Sequence, residues 1–138
     1  MTPKFFSLAE LVPPEVFTRR GEKAWELLRP DALEMLDRLR TQFGPCTVNN
    51  WQSGGQYKES GLRAFLTLTG AEYSMHKYGG AFDCKFRNAT PEEVFQFVTN
   101  LPEKFPRITA VEDVAFTPTW FHFDVRNPSW SGIRVIKP

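Results

Sequence analysis

Ser74-Met75-His76-Lys77-Tyr78-Gly79-Gly80-Ala81-Phe82-Asp83-Cys84-Lys85-Phe86 is the stretch on which the reading of this chain turns. Its second half alternates, which predicts a strand over Ala81 to Phe86 with Asp83 and Lys85 on the face opposite Phe82 and Cys84. Its first half holds one of only two histidines in the sequence. The intervening glycine pair lets the backbone turn, so a loop histidine and a strand carboxylate can converge on one point. The other histidine lies in Trp120-Phe121-His122-Phe123-Asp124-Val125, whose aromatic and β-branched residues predict another strand. A catalytic zinc takes three protein ligands and keeps its remaining tetrahedral position open. His76, Asp83 and His122 are therefore the candidate metal ligands.

Outside these two stretches the patterning is mostly helical in the N-terminal half. Ser7-Leu8-Ala9-Glu10 reads as a capping box opening a short helix that Pro13 and Pro14 end. A second segment from Gly21 carries Ala24, Trp25, Leu27 and Leu28. Pro30-Asp31 opens a longer helix with Ala32, Leu36, Leu39 and Phe43 at helical spacing, which Gly44-Pro45 stops. Thr47 to Trp51 reads as a strand, and Gln52 to Leu62, with Gly54, Gly55 and Gly61, as an irregular loop. Leu62 to Thr69 shows no clear period. Thr90-Pro91-Glu92-Glu93 begins a further helix through Val94, Phe95, Phe97, Val98 and Leu101, which Pro102 breaks. Ile108 to Val111 and Trp120 to Val125 are expected to pair as an antiparallel hairpin. Helices followed by mixed strands predict a single α+β domain over residues 1–138, with a small antiparallel sheet carrying the metal site and helices flanking it.

Composition narrows the function classes. A chain of 138 residues with 41% hydrophobic content is long enough to bury about two-thirds of its unfolded surface. Its 17 Lys and Arg against 16 Asp and Glu are scattered, so no stripe for nucleic acid and no polybasic membrane segment is expected. The first residues lack a secretion signal and no run approaches the ~20 apolar residues of a membrane span. A cytoplasmic product when synthesised, and a monomer, is the expectation. Cys46 and Cys84 match no paired ligand spacing and read as buried free thiols.

The wider pattern resembles the zinc peptidase superfamily of lysostaphin, the D-alanyl-D-alanine metallopeptidases and the hedgehog signalling domain. The matching residues are Ser74, His76, Gly79, Ala81, Asp83 and the later strand histidine His122. Upstream, Ser60-Gly61-Leu62-Arg63 is similar to the Ser-Gly-Tyr-Arg motif of D-alanyl-D-alanine carboxypeptidase-like members, with Leu62 in place of the aromatic. The Asn49-Asn50-Trp51 region and Trp120-Phe121-His122-Phe123-Asp124-Val125-Arg126 also resemble short phage and bacterial members, so the likeness extends over most of the chain.

That resemblance implies a zinc metallopeptidase that hydrolyses an amide bond in peptidoglycan stem peptides or cross-links, of D,D-carboxypeptidase or endopeptidase type. Zinc in such a site lowers the pKa of its water to ~7 and polarises the scissile carbonyl. Arg63 is implied to bind substrate or stabilise the oxyanion, a task suited to its fixed fork of donors. Many relatives place a Glu or Asp three residues before the last histidine, where this chain has Thr119. Glu112 is the candidate general base in its stead, with Asp113 and Asp124 as competitors. Asp124 shares a strand face with His122 and is suited to orienting it. Trp120 is a candidate wall for substrate, and Ser74 a candidate substrate contact or loop hydrogen-bonder. A phage-encoded protein that is released onto the wall or carried in the virion suits a chain without a signal. A non-hydrolytic, zinc-stabilised binding or virion component on the same fold is the alternative, and an unrelated α+β domain with two core histidines is a third reading.

Overall fold

The computed structural model describes residues 1–138 and shows an α+β arrangement of three helices and one five-stranded sheet. The strands are β1 (Cys46–Thr47), β2 (Ala81–Phe86), β3 (Ala110–Glu112), β4 (Phe121–Asp124) and β5 (Arg134–Ile136). Their order is β1-β2-β4-β3-β5. All neighbours run antiparallel except β3 and β5, which are parallel. The helices are α1 (Pro14–Arg20), α2 (Pro30–Phe43) and α3 (Pro91–Asn100).

Helix α2 forms where Pro30 supplies a preset φ at the first helical position, and it ends at Gly44, whose φ of 85° is open to glycine at little steric cost. It buries Ala32, Leu33, Met35, Leu36 and Leu39. Helix α3 is opened by Thr90, whose hydroxyl accepts the Glu93 N–H at 3.1 Å, and it buries Val94 and Val98. Both apolar stripes join one core with Phe82, Cys84, Phe121 and Phe123 from β2 and β4. Each such side chain taken out of water contributes about 1.5 to 3 kcal/mol. The alternation of β2 is thereby used on both sides: Phe82 and Cys84 hold the sheet to the core, leaving Asp83 and Lys85 for the opposite face.

Several sequence expectations are corrected. The strand read over Thr47 to Trp51 is confined to Cys46–Thr47, and Trp51–Ser53 forms a 3-10 turn. Asn49 explains the early end: its amide bridges three segments, accepting the Ser60 N–H at 2.9 Å and donating to the Val12 carbonyl at 3.2 Å. Pro13 and Pro14 do end the Leu8–Glu10 turn, but Pro14 is also the first residue of α1, a position where proline's missing N–H costs nothing. The sheet is mostly antiparallel as expected, and β5 adds to it parallel to β3. Cys46 and Cys84 are both free thiols, Cys84 buried and Cys46 half-buried. Burial, reinforced by the neighbouring Cys46, raises the Cys84 thiol above its ordinary value. No helix is long and apolar enough to cross a membrane.

Candidate metal centre

Strand register brings two of the three predicted ligands together. Asp83 of β2 lies directly opposite His122 of β4, and directly opposed side chains on one face approach within bonding distance. The β3–β4 register pairs Ala110 with Asp124 and Val111 with Phe123, so its next step sets Glu112 beside His122. Asp83, His122 and Glu112 therefore form a row across three strands. The carboxylate of Asp83 stands 2.8 Å from His122 Nδ1, and that of Glu112 stands 3.5 Å from the same nitrogen.

His76 arrives from outside the sheet. It sits on a 3-10 turn, Met75–Tyr78, opened by Ser74, whose hydroxyl accepts the His76 N–H at 3.2 Å. Gly79 closes the turn with φ of 70°. A Cβ there would stand 1.9 Å from the Leu27 carbonyl oxygen, so both conformation and packing require glycine. The turn delivers His76 Nε2 to 3.3 Å from Asp83 Oδ1.

The segment Ser60 to Arg63 fastens these groups through its main chain. The Ser60 carbonyl accepts the Asp83 N–H at 2.7 Å, and the Arg63 N–H donates to the His76 carbonyl at 3.1 Å. The Gly61 carbonyl lies 2.8 Å from His76 Nδ1. A carbonyl can only accept, so Nδ1 carries the proton and Nε2 presents its lone pair to Asp83. At Gly61 a Cβ would stand 2.3 Å from the Leu11 carbonyl oxygen, which accounts for glycine at that place in the motif.

His122 has its ring fixed the other way round. Its Nε2 lies 2.9 Å from Asp124 Oδ2, and Asp124 is fully buried and also accepts from the Arg126 guanidinium at 2.8 and 2.6 Å. Asp124 thus holds the Nε2 proton and leaves Nδ1 facing Asp83. A carboxylate behind a ligand histidine orients the ring and raises its basicity.

Electrostatics follow from this packing. Burial lowers His76 below the ordinary histidine value despite the pull of Asp83, so it is neutral at pH 7. For His122 burial also acts downward, but its hydrogen bonds to Asp124 and Asp83 prevail and raise it to about 9. Burial alone would raise Asp83, yet His76 and His122 beside it hold its carboxyl well below the usual range. Asp124 is lowered as well, burial being outweighed by its bonds from Arg126 and His122.

His76, Asp83 and His122 form a buried group whose donor atoms all lie within 4.8 Å of one another, and this group is able to hold a metal ion. The donor chemistry fits one: a neutral imidazole with its lone pair turned inward, an ionised carboxylate, and a second imidazole whose inward nitrogen needs only to lose its proton. Arg63 reaches the same place, its guanidinium 3.3 Å from Asp83 Oδ2 and anchored by a bond to the Glu59 carbonyl at 2.8 Å. Of the three acids considered as general base, Glu112 alone turns into the cleft beside His122. Asp113 accepts the Ala115 N–H at 2.9 Å in a turn, and Asp124 is occupied behind the ring. Ser74 caps the His76 turn and lines the cleft, while Trp120 lines it from β4's approach. Compared with protein-family models, curated proteins and solved structures, the chain finds no match.

Proposed function

We propose that the protein is a zinc metallopeptidase that hydrolyses an amide bond in the stem peptides or cross-links of peptidoglycan. The observation that carries this reading is the row Asp83–His122–Glu112 with His76 closing over it: three donors around one point, and a carboxylate 3.5 Å from the nearest of them. The order of motifs described above, from Ser60-Gly61-Leu62-Arg63 to the Asp124-Val125-Arg126 strand end, supports the choice of zinc and of a cell-wall peptide. When held by His76 Nε2, Asp83 and His122 Nδ1, zinc would supply a Lewis acid and a water acidic enough to act at neutral pH.

The chain's own residues then have defined tasks. Glu112, with 19% of its side chain exposed, is placed to take a proton from a water in the cleft and to return one to the leaving amine. Arg63, its guanidinium 3.3 Å from Asp83, offers further N–H donors where negative charge would develop on the amide oxygen. Asp124 keeps the His122 ring turned so that Nδ1, and not Nε2, faces the centre. Thr119 has no acid–base capacity at neutral pH, and Glu112 from the neighbouring strand occupies the role that relatives give to an acid at that position. Thr119 is also the observation that favours the second reading, a zinc-stabilised binding or virion protein without hydrolytic activity.

The test is digestion of purified peptidoglycan and its muropeptides, followed by mass spectrometry, with zinc content measured on the same samples. Wild-type protein is expected to bind one zinc and release new amine termini. Glu112→Gln is expected to keep the metal and lose at least about a hundredfold in rate, and His76→Ala to lose both. Stoichiometric zinc without cleavage of any wall type would transfer the assignment to the binding protein.

A further inference from the structure

The candidate metal donors border more than one hollow. Two, of about 520 and 550 Å³, adjoin at Asp83, and Arg63, Thr69, Asp83 and Trp120 line both. Each alone has the size of a small-molecule pocket. A substrate that stopped at the metal would leave one of them unused.

The two arms differ in chemistry. The arm along β2 carries Lys58 and Lys85. The Lys85 ammonium is held by the Val48 carbonyl and the Ser60 hydroxyl, both at 2.8 Å, and lies 4.0 Å from the centre of the Tyr57 ring. Lys58 is exposed and forms no ion pair. Glu59 lines the same arm, its carboxylate bonded to the hydroxyls of Thr67 and Thr69 and outnumbered by the two lysines. The other arm is walled by Tyr73, Phe116, Ile136 and Pro138, with Arg126 also lining it but paired with Asp124. Between the arms, the indole N–H of Trp120 is buried with no acceptor, and the hydroxyl of Thr117 on the apolar arm is likewise unpartnered. Buried donors without acceptors are costly, and both atoms are closed to solvent, so a ligand carbonyl would reach them only after the covering groups shift.

We propose that the bound peptide passes across the metal position instead of ending at it, with a carboxylate-bearing flank in the Lys58–Lys85 arm and an uncharged flank in the Tyr73–Phe116 arm. This rests on the reading of the cleft as a peptidase site and specifies its substrate as an internal, not a terminal, bond.

The probes are three synthetic peptides sharing one D-Ala-D-Ala bond: one ending there in a free carboxylate, one extended two residues beyond it with a Glu in the extension, and one with Gln in place of that Glu. Binding is measured by calorimetry on zinc-loaded Glu112→Gln protein, and cleavage on the zinc-loaded wild type. The Glu-extended peptide is expected to bind at least tenfold more tightly than either other probe. Lys58→Glu is expected to abolish its advantage over the Gln peptide while leaving zinc content unchanged. Equal affinity for the truncated peptide, or no difference between Glu and Gln, overturns the proposal, as does the absence of binding to all three. If the expected binding order is found and nothing is cut, the arms are assigned and the hydrolase reading fails. If the truncated peptide is both bound best and cut, the hydrolase reading stands and the two-arm assignment falls.

Discussion

Loading zinc into the site at pH 7 is expected to release one proton per ion from His122 Nδ1, with about half a proton more from a zinc-bound water of pKa ~7. In the metal-free protein this ring is bonded on both sides to carboxylates, Asp83 at 2.8 Å and Asp124 at 2.9 Å, which raise its pKa to about 9. Essentially all of it is therefore protonated at pH 7, whereas His76, lowered by burial, and Asp83, held ionised by its neighbours, have no proton to give. A metal ion that takes Nδ1 must displace one proton, so apparent affinity is expected to fall about tenfold, or ~1.4 kcal/mol, for each unit of pH below 8. The assay is calorimetric titration of zinc at one pH in two buffers with different heats of ionisation, repeated between pH 6.5 and 8. A histidine at its ordinary 6.5 would release only roughly a quarter of a proton at pH 7, for a total below about one with the water's share. A count that low, with affinity flat across the range, would refute the assignment of His122 as a doubly bonded imidazolium facing the site.

Three further outcomes follow from the same geometry. Because the folded-state pKa of His122 is raised, its contribution to metal-free stability is full below about 6.5 and is lost as pH rises through about 9; thermal scans of metal-free protein should show a falling Tm across that window, on the order of 3 kcal/mol in total, and His122→Asn should lack the slope. Asp124→Asn removes the charge that fixes the His122 ring and leaves Arg126 unpaired, so zinc affinity measured by chelator competition is expected to drop about 10- to 100-fold; unchanged affinity would show that the ring is oriented by something else. Gly79→Ala must relieve a 1.9 Å contact with the Leu27 carbonyl at positive φ, and urea denaturation is expected to show a loss of at least about 2 kcal/mol.

The parts of this architecture that were legible in the sequence are those with a strong local signal. Alternation over Ala81 to Phe86 located β2 and assigned Asp83 to the face away from the core, and the Thr90-Pro91-Glu92-Glu93 start of α3 needed no tertiary information. The three candidate metal donors were legible because only two histidines exist, one in a turn just before a predicted strand and the other within one. β5 was not, since Arg134 and Val135 are exposed and the strand exists only through its parallel pairing with β3. Nor was α1, because a proline pair reads equally as a stop and as a start. Asn49 gave no warning that its side chain ties Val12 to Ser60, as a contact between residues 11 apart and 37 apart leaves no periodic trace. Glu112 was legible as a candidate from its place at the end of the first hairpin strand, projecting toward the metal position, whereas the register that sets it 3.5 Å from His122 is stated by no local pattern. The unpartnered Thr117 and Trp120 donors were invisible for the same reason.

The cradle of the site is tied to main-chain atoms of Ser60, Gly61 and Arg63, and every amino acid possesses such atoms. Lineages descended from this chain can therefore exchange Leu62 for another apolar residue, or rewrite much of the loop beyond it, while His76 and Asp83 stay aimed. Gly61 is the exception, since any Cβ there strikes Leu11. Over long divergence, the succession of histidine, aspartate and histidine at their places on the sheet is expected to outlast the wording of the motifs around them.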